Sequence, residues 1–300
     1  MTTIATFVFL FSVIVGSAFL SLWLFKRQRT ARALHPPESF SFLRAPGESL
    51  RRRLDALFEQ FVLTIFLGSS GAMILLGVPA AVLWLFPSAN PIILLGSGGA
   101  LFFAGIIWGV RRSTRILAER AQARLGWIGE RLVAESLEVC LAKGCRVFHD
   151  VPIEGEWGRA NIDHVVISPW GVAVVETKMR SKPADKKAWE NRVIYDGKKI
   201  IWPRHSNDTK TLWQSQKNAA WIEHFILDRC GISTQVKQVI AVPGWNVVER
   251  VLGQPRVVRG ERAGEAVLQA LDFKAETRFS QRQVECWVQA LDQICRDVED

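Results

Sequence analysis

Three stretches of the chain carry no charged side chain: Ile4 to Phe25, Phe61 to Phe86 and Pro91 to Val110. At about 1.5 Å per residue, each is long enough to cross a bilayer as a helix. Pro87-Ser88-Ala89-Asn90 predicts a tight turn between the second and third stretches. These two therefore pair as a hairpin, and Gly96, Gly98, Gly99 and Gly105 would allow close helix contact. The resulting expectation is a transmembrane helix at 1–25, a basic cytoplasmic loop at 26–60 and a transmembrane hairpin at 61–110, made of 61–86 and 91–110. Within the loop, Arg51-Arg52-Arg53 precedes Leu54, Leu57, Phe58 and Phe61 at helical spacing. That piece either lies on the membrane surface or extends the second span.

From Ser113 the pattern becomes that of a long amphipathic helix. Residues 111–124 form its basic juxtamembrane part. Leu125, Ile128, Leu132, Val133, Leu137 and Leu141 then make one apolar side, and Gly144 is a stop. Glu130 falls at the edge of that side, where it could reach a site without being buried; a solvated helical glutamate is the plain alternative. Cys145–Val151 predicts a strand, Glu154–Gly158 a loop, and Ala160–Ile167 and Val172–Lys178 two further strands. Strand-like segments surround Trp189 and Val193–Tyr195, turned by Asp196-Gly197. A helix at Leu212–Asp228, a buried strand at Val236–Val242, a short strand at Val257-Val258 and helices at Gly264–Leu271 and Gln281–Val298 complete the chain.

The two strands at 160–178 carry the chemistry. Ser168-Pro169-Trp170-Gly171 supplies a turn, and Pro169 suits its first central position. A loop of two or four residues, symmetric about 169/170, sets Asp163 opposite Glu176; an odd-length loop would slip that register by one. Alternation puts Val172, Val174, Glu176 and Lys178 on one face. Facing carboxylates repel, whereas a divalent cation between them would make a binding site. A surface hairpin with charged outer faces is the bland reading, but Val165, Ile167, Val172, Val174 and Val175 make the pair look buried.

Asp163 followed by Glu176-x-Lys178 resembles the PD-(D/E)XK nuclease core. Gly129-Glu130, Phe148-His149-Asp150-Val151, Ile162–Val166, Gly171-Val172 and Val175–Lys178, in that order, resemble the nuclease-related domain (NERD) family from about Gly126 to about Val242. The resemblance implies an α/β fold with a restriction-endonuclease-like core, a central mixed sheet flanked by helices, here attached to three N-terminal transmembrane helices. It sets the nuclease-related domain at 125–272 and a C-terminal helix at 273–300. It implies hydrolysis of nucleic acid phosphodiesters with Mg²⁺ (or Mn²⁺) held by Asp163, Glu176 and the Thr177 carbonyl. Lys178 would orient or deprotonate the attacking water, and Glu130 would contribute from the first helix. A glutamine on the later helix would position the site. Gln214 and Gln216 are both available, and Gln214 fits better because Ile222 and Ile226 follow eight and twelve positions later. The family's Asn-Pro upstream is replaced by Lys210-Thr211.

Charge refines this picture. The net charge is +9, yet residues 1–110 hold 8 Lys/Arg against 4 acids, residues 111–124 hold 5 against 1, and the remainder is almost balanced. The excess therefore flanks apolar segments, where it sets orientation: N-terminus outside, residues 111–300 in the cytoplasm of an inner (cell) membrane. The spans hold no charge, which makes the lipid-embedded part an anchor rather than an ion pathway. Residues 178–217, with 11 Lys/Arg, 4 acids and Trp189, Trp202 and Trp213, form the segment where DNA or RNA phosphates could be met; a solvated basic loop with its tryptophans in the core is the equal alternative. The five cysteines show no metal spacing and read as reduced core thiols. His149 and His164 read as structural. The rival function is a tethered module that binds nucleic acid or a partner without turnover.

Overall fold

The computed structural model describes residues 40–299 except 89, 154–159, 183–190, 204–205, 252, 254 and 274–277. The first apolar run, the Glu154–Gly158 loop and the strand expected around Trp189 lie outside the described residues. The chain divides into two units, one containing 54–121 and the other Ser39–Arg53 with Gln122–Glu299.

The first unit holds most of two helices, α1 (Glu48–Leu85) and α2 (Pro91–Ser136). Asn90 begins α2 by accepting the Ile92 N–H on its side-chain oxygen (3.0 Å), and Pro91 follows at a position that needs no donor. A Cβ on Gly98 would stand 2.6 Å from Pro79 Cγ and 3.1 Å from the Leu75 carbonyl oxygen, so only glycine fits where the helices touch. Gly96 and Gly99, also expected at this contact, have nothing within 4 Å. Among the described residues one helical stretch, Pro91–Ala142, is long and apolar enough to cross a membrane; its 18-residue window has mean hydropathy 1.9 and is 6% buried.

The second unit is built on a five-stranded mixed sheet. After the short helix α3 (Glu138–Ala142), the chain forms β2 (Arg146–Ile153), β3 (Ala160–Ser168) and β4 (Gly171–Thr177), joined as antiparallel neighbours. Next come β5 (Arg192–Tyr195), β6 (Ile200–Ile201), helix α4 (Lys210–Cys230), β7 (Val236–Val242), β8 (Asn246–Glu249) and β9 (Arg256–Arg259). The main sheet runs β2-β3-β4-β7-β9, with β7 parallel to both neighbours; β6-β5-β8 make a small second sheet. Helices α5 (Ala263–Ala270) and α6 (Gln281–Ile294) complete the layers.

β4 is buried on both faces, which is why its valines run almost unbroken. Val172 and Val174 pack with Ile222 and Ile226 of α4 and Trp287 of α6. On the other side Ala173 and Val175 pack with Val133 of α2, Leu137 between α2 and α3, and Val267 of α5. Gly144 ends the α2–α3 region at φ +81°, the left-handed stop expected of it.

Two expectations are corrected. The last helix stops at Ile294, short of Val298; Arg296–Glu299 form β10, antiparallel to β1 (Phe40–Leu43). Ser39–Arg53, from the stretch read as a basic loop, belongs to the second unit. Arg44 meets Asp297 at 3.1 Å and Asp150 at 3.6 Å, and Arg51 meets Glu48 at 2.6 Å. Asp150 and Asp297 are far away in sequence, so local charge patterning shows only the basic half of these contacts. Finally, Cys230 and Cys286 are joined as a disulfide with Cα atoms 6.1 Å apart, while Cys140, Cys145 and Cys295 are free and buried. The packing of α6 beside α4 brings that pair together, and no sequence spacing announces it.

Candidate active site

β3 and β4 pair with Ser168 opposite Gly171 and His164 opposite Val175, so Pro169-Trp170 is a two-residue loop and Asp163 stands at the position facing Glu176. The same counting continues outward: β2 pairs His149 with His164 and Val151 with Ile162, which sets Asp150 opposite Asp163. Three acids thus occupy one row across three strands. Asp150 has φ 50°, a conformation that Asp tolerates better than most residues. Its carboxylate accepts hydrogen bonds from Ser49 Oγ (2.6 Å), the Ser49 N–H (3.1 Å) and Asn161 Nδ2 (3.0 Å).

The other two acids have different partners. Asp163, half-buried, accepts the Thr177 N–H on Oδ2 at 2.6 Å. Glu176 is 4% exposed and accepts Asn218 Nδ2 of α4 on Oε2 at 3.1 Å. Glu130 is 7% exposed, so the expectation that it reaches the site without burial is corrected. The cover comes from Gly47, whose φ is +70° and where a Cβ would lie 2.8 Å from the Trp127 ring and 3.5 Å from Glu130 Oε2. That oxygen has no hydrogen-bond partner.

The electrostatics follow from crowding acids in a dry place. Burial, then the charges of Asp163 and Asp150, push Glu130 up to about 9. Burial also raises Asp163 to about 7 against the opposing Thr177 N–H, with Asp150 adding and Lys178 subtracting. Glu176 goes well above the usual carboxylate range through burial and the Asp163 charge, opposed by Lys178. Gly129 explains the adjoining helix position: a Cβ there would meet Met179 Cβ at 2.9 Å and Thr177 Cγ2 at 3.4 Å. Only glycine lets α2 bring Glu130 against the end of β4.

The donor set suits a hard cation. It offers carboxylate and carbonyl oxygens, and a positive ion would relieve the mutual repulsion of the acids. Among the described residues no group of three or more His, Cys, Asp and Glu is placed to hold a metal ion. Asp163, Glu176 and the Thr177 carbonyl, the expected ligands, would need water to complete a coordination shell.

Beyond β4 the chain stays tied to the site. Arg180 pairs with Asp208 at 2.9 Å, its guanidinium lies 4.7 Å from the Trp202 ring centre, and its carbonyl accepts Trp245 Nε1 at 3.0 Å. Asp208 in turn accepts the Thr211 N–H (3.0 Å) and hydroxyl (2.9 Å) at the start of α4. Against the cost of burial, these donors, Lys178 and Arg180 hold Asp208 below its ordinary value.

Of the expected glutamines, Gln214 is partly exposed and Gln216 exposed; the hydrogen bond from this helix to Glu176 comes from Asn218, one turn after Gln214. Asn218 did leave a signal, being a polar residue within the apolar stripe of Ala219, Ile222 and Ile226. Asp208 left a local one, an acid three residues before Thr211 at the start of α4, whereas the partners of Asp150 on Ser49 and Arg44 lie about a hundred residues away. His149 and His164 meet Nδ1 to Nδ1 at 2.8 Å. Burial lowers His149 to about 4 and, with His149 beside it, takes His164 well below its ordinary value. Both are neutral parts of the fold.

A mixed sheet flanked by helices, with Asp163 in the first half of β3, Glu176 near the end of β4 and Lys178 just past it, is consistent with a nuclease-like α/β domain. Residues 125–243 match the family model of the nuclease-related domain, NERD, about two fifths of the chain. Nothing matches among the curated proteins or among the solved structures.

Proposed function

We propose that this protein is a membrane-anchored nuclease-like enzyme that hydrolyses nucleic acid phosphodiesters with Mg²⁺ or Mn²⁺. The observation that carries the reading is the conjunction of Asp163 and Glu176 in facing register, both held above their ordinary ionisation range, with Lys178 just past the end of β4. Carboxylates so placed are poor structural elements and good oxygen ligands. The nuclease-related domain match over the same residues agrees with this reading.

Each side chain then has a task. The Thr177 N–H fixes the orientation of Asp163, and Asn218 fixes that of Glu176. A bound divalent cation would supply a water of lowered pKa and neutralise charge on the phosphoryl oxygens. Lys178 would hold or take the proton of the attacking water and neutralise charge in the transition state. Glu130, protonated at neutral pH, would donate a hydrogen bond from the opposite wall. Gln214 would position the substrate or water from α4.

The anchor in this proposal has three spans, 4–25, 61–86 and 91–110, with the N-terminus outside and residues 111–300 in the cytoplasm of the inner (cell) membrane. The apolar, little-buried 18-residue window within Pro91–Ala142 supports it, as do the arginines at 111, 112 and 115, directly after the third charge-free run. The bilayer and nucleic acid are the two partners. Full-length protein in detergent should cleave at least one member of a panel of single- and double-stranded DNA and RNA when Mg²⁺ or Mn²⁺ is added. Glu176→Ala and Lys178→Ala should each lose about a hundredfold or more. Binding without turnover on every substrate, unchanged by Asp163→Ala and by chelator, would instead establish the non-catalytic tethered module.

A further inference from the structure

Helix α4 carries two adjoining stripes. Thr211, Ser215, Asn218 and Ile222 are buried, and this stripe supplies the hydrogen bond to Glu176. Lys210, Trp213, Gln214 and Lys217 recur at i, i+3, i+4 and i+7 and look outward, partly or fully exposed. The tryptophans of this region divide sharply. Trp202 is 2% exposed and Trp245 1%, both packed in the core around the small sheet, whereas Trp213 is 59% exposed. Lys217 Nζ stands 5.4 Å from the Trp213 ring centre.

An indole standing open on the helix that feeds a carboxylate site, with an ammonium on either side along the stripe, suits one ligand chemistry. Backbone phosphates pair with lysines, and the flat face of a base stacks on an aromatic ring. In a duplex those faces are covered by neighbouring base pairs, so the ring can be used only by an unpaired base. We propose that Trp213 is a stacking platform and that the Lys210–Trp213–Gln214–Lys217 stripe receives single-stranded nucleic acid beside the Asp163–Glu176 site. The proposal rests on the nuclease reading and narrows its substrate class to unpaired strands.

The test uses the full chain in detergent with chelator present, so that binding is read without cleavage. Fluorescence anisotropy is measured with a short labelled oligothymidylate, the corresponding oligouridylate and a blunt duplex. Wild type should bind either single strand more tightly than the duplex. Trp213→Ala should weaken single-strand binding about tenfold or more, Trp213→Phe should retain most of it, and neither should alter duplex binding. Because Trp213 is exposed, both variants should melt as wild type does. Single-strand affinity unchanged in Trp213→Ala, or an equal loss on duplex, overturns the stacking platform. Duplex cleavage by wild type with Trp213 indifferent would remove this inference and leave the nuclease reading intact. Failure of wild type to bind or cut any of the three would remove both.

Discussion

Asn218 Nδ2 donates to Glu176 Oε2 at 3.1 Å, linking α4 to the end of β4 across 42 residues of sequence. Both side chains are buried, so neither can exchange this partner for water. Asn218→Ala should cost about 1–3 kcal/mol of stability, the usual penalty for stranding a buried polar group. Asn218→Asp should cost more by adding a further acid to the crowded cluster of Glu130, Asp150, Asp163 and Glu176. Chemical denaturation of the three proteins checks the order.

The acids should make the cation-free protein less stable as pH rises. For Asp163 and Glu130, folded values of about 7 and about 9 exceed the ordinary ones of 3.8 and 4.5. The folded state therefore binds more protons than the unfolded state between those limits. The stability these protonated acids contribute is full below pH about 4 and is lost as pH climbs through 7 and then 9. His149 and His164 act oppositely, since their folded values are lowered, but only below about pH 6.5. Thermal melts from pH 7 to 9 in chelator should show a falling midpoint, and Mg²⁺ should flatten the slope. A flat profile in chelator would remove the premise of a crowded acid site.

Gly129 should tolerate no side chain. Gly129→Ala drives a Cβ into Met179 Cβ at 2.9 Å, an atom fixed to the backbone, so α2 must move off β4. A loss of about 1–3 kcal/mol is expected for such overpacking. Cleavage should fall with it, because Glu130 moves as well. Gly96→Ala, with open space around the new methyl group, serves as the neutral control in the same denaturation series.

The Cys230–Cys286 disulfide closes a long loop between the end of α4 and α6, and it should contribute about 2–4 kcal/mol when formed. Cys286→Ser should lower the melting midpoint in oxidising buffer and leave it unchanged in reductant. Since the cytosol keeps thiols reduced, alkylation in intact cells also reads the compartment. With the proposed orientation, Cys230 and Cys286 should be trapped as free thiols before lysis and pair only afterwards. A C-terminal fluorescent-protein fusion that glows, beside an alkaline phosphatase fusion that stays inactive, would agree.

Much of the site is legible one strand at a time. The Ser168–Gly171 turn and the alternation of β4 are local; they set Asp163 against Glu176 for an even-length loop, and the observed pairing of Ser168 with Gly171 selects that register. Helix periodicity likewise reveals α2 and α4, because an amphipathic helix records its buried side every three to four residues. Glu130 shows where this reading stops. Periodicity gives its angle on the helix, but its burial depends on Gly47, more than eighty residues upstream and on no repeating pattern.

The amino-acid order alone determined the charge-free runs, the carboxylates on adjoining strands and the lysine that follows them, since each arises from neighbours within a few residues. Tertiary packing alone decided that Asp150 continues the acidic row, that Asn218 supplies the donor to Glu176, that Ser39–Arg53 joins the nuclease-like unit, and which tryptophan remains in the open. Those outcomes turn on which distant surfaces exclude water from one another. Desolvation at a point is the sum over every element packed around it, and no single stretch of chain carries that sum.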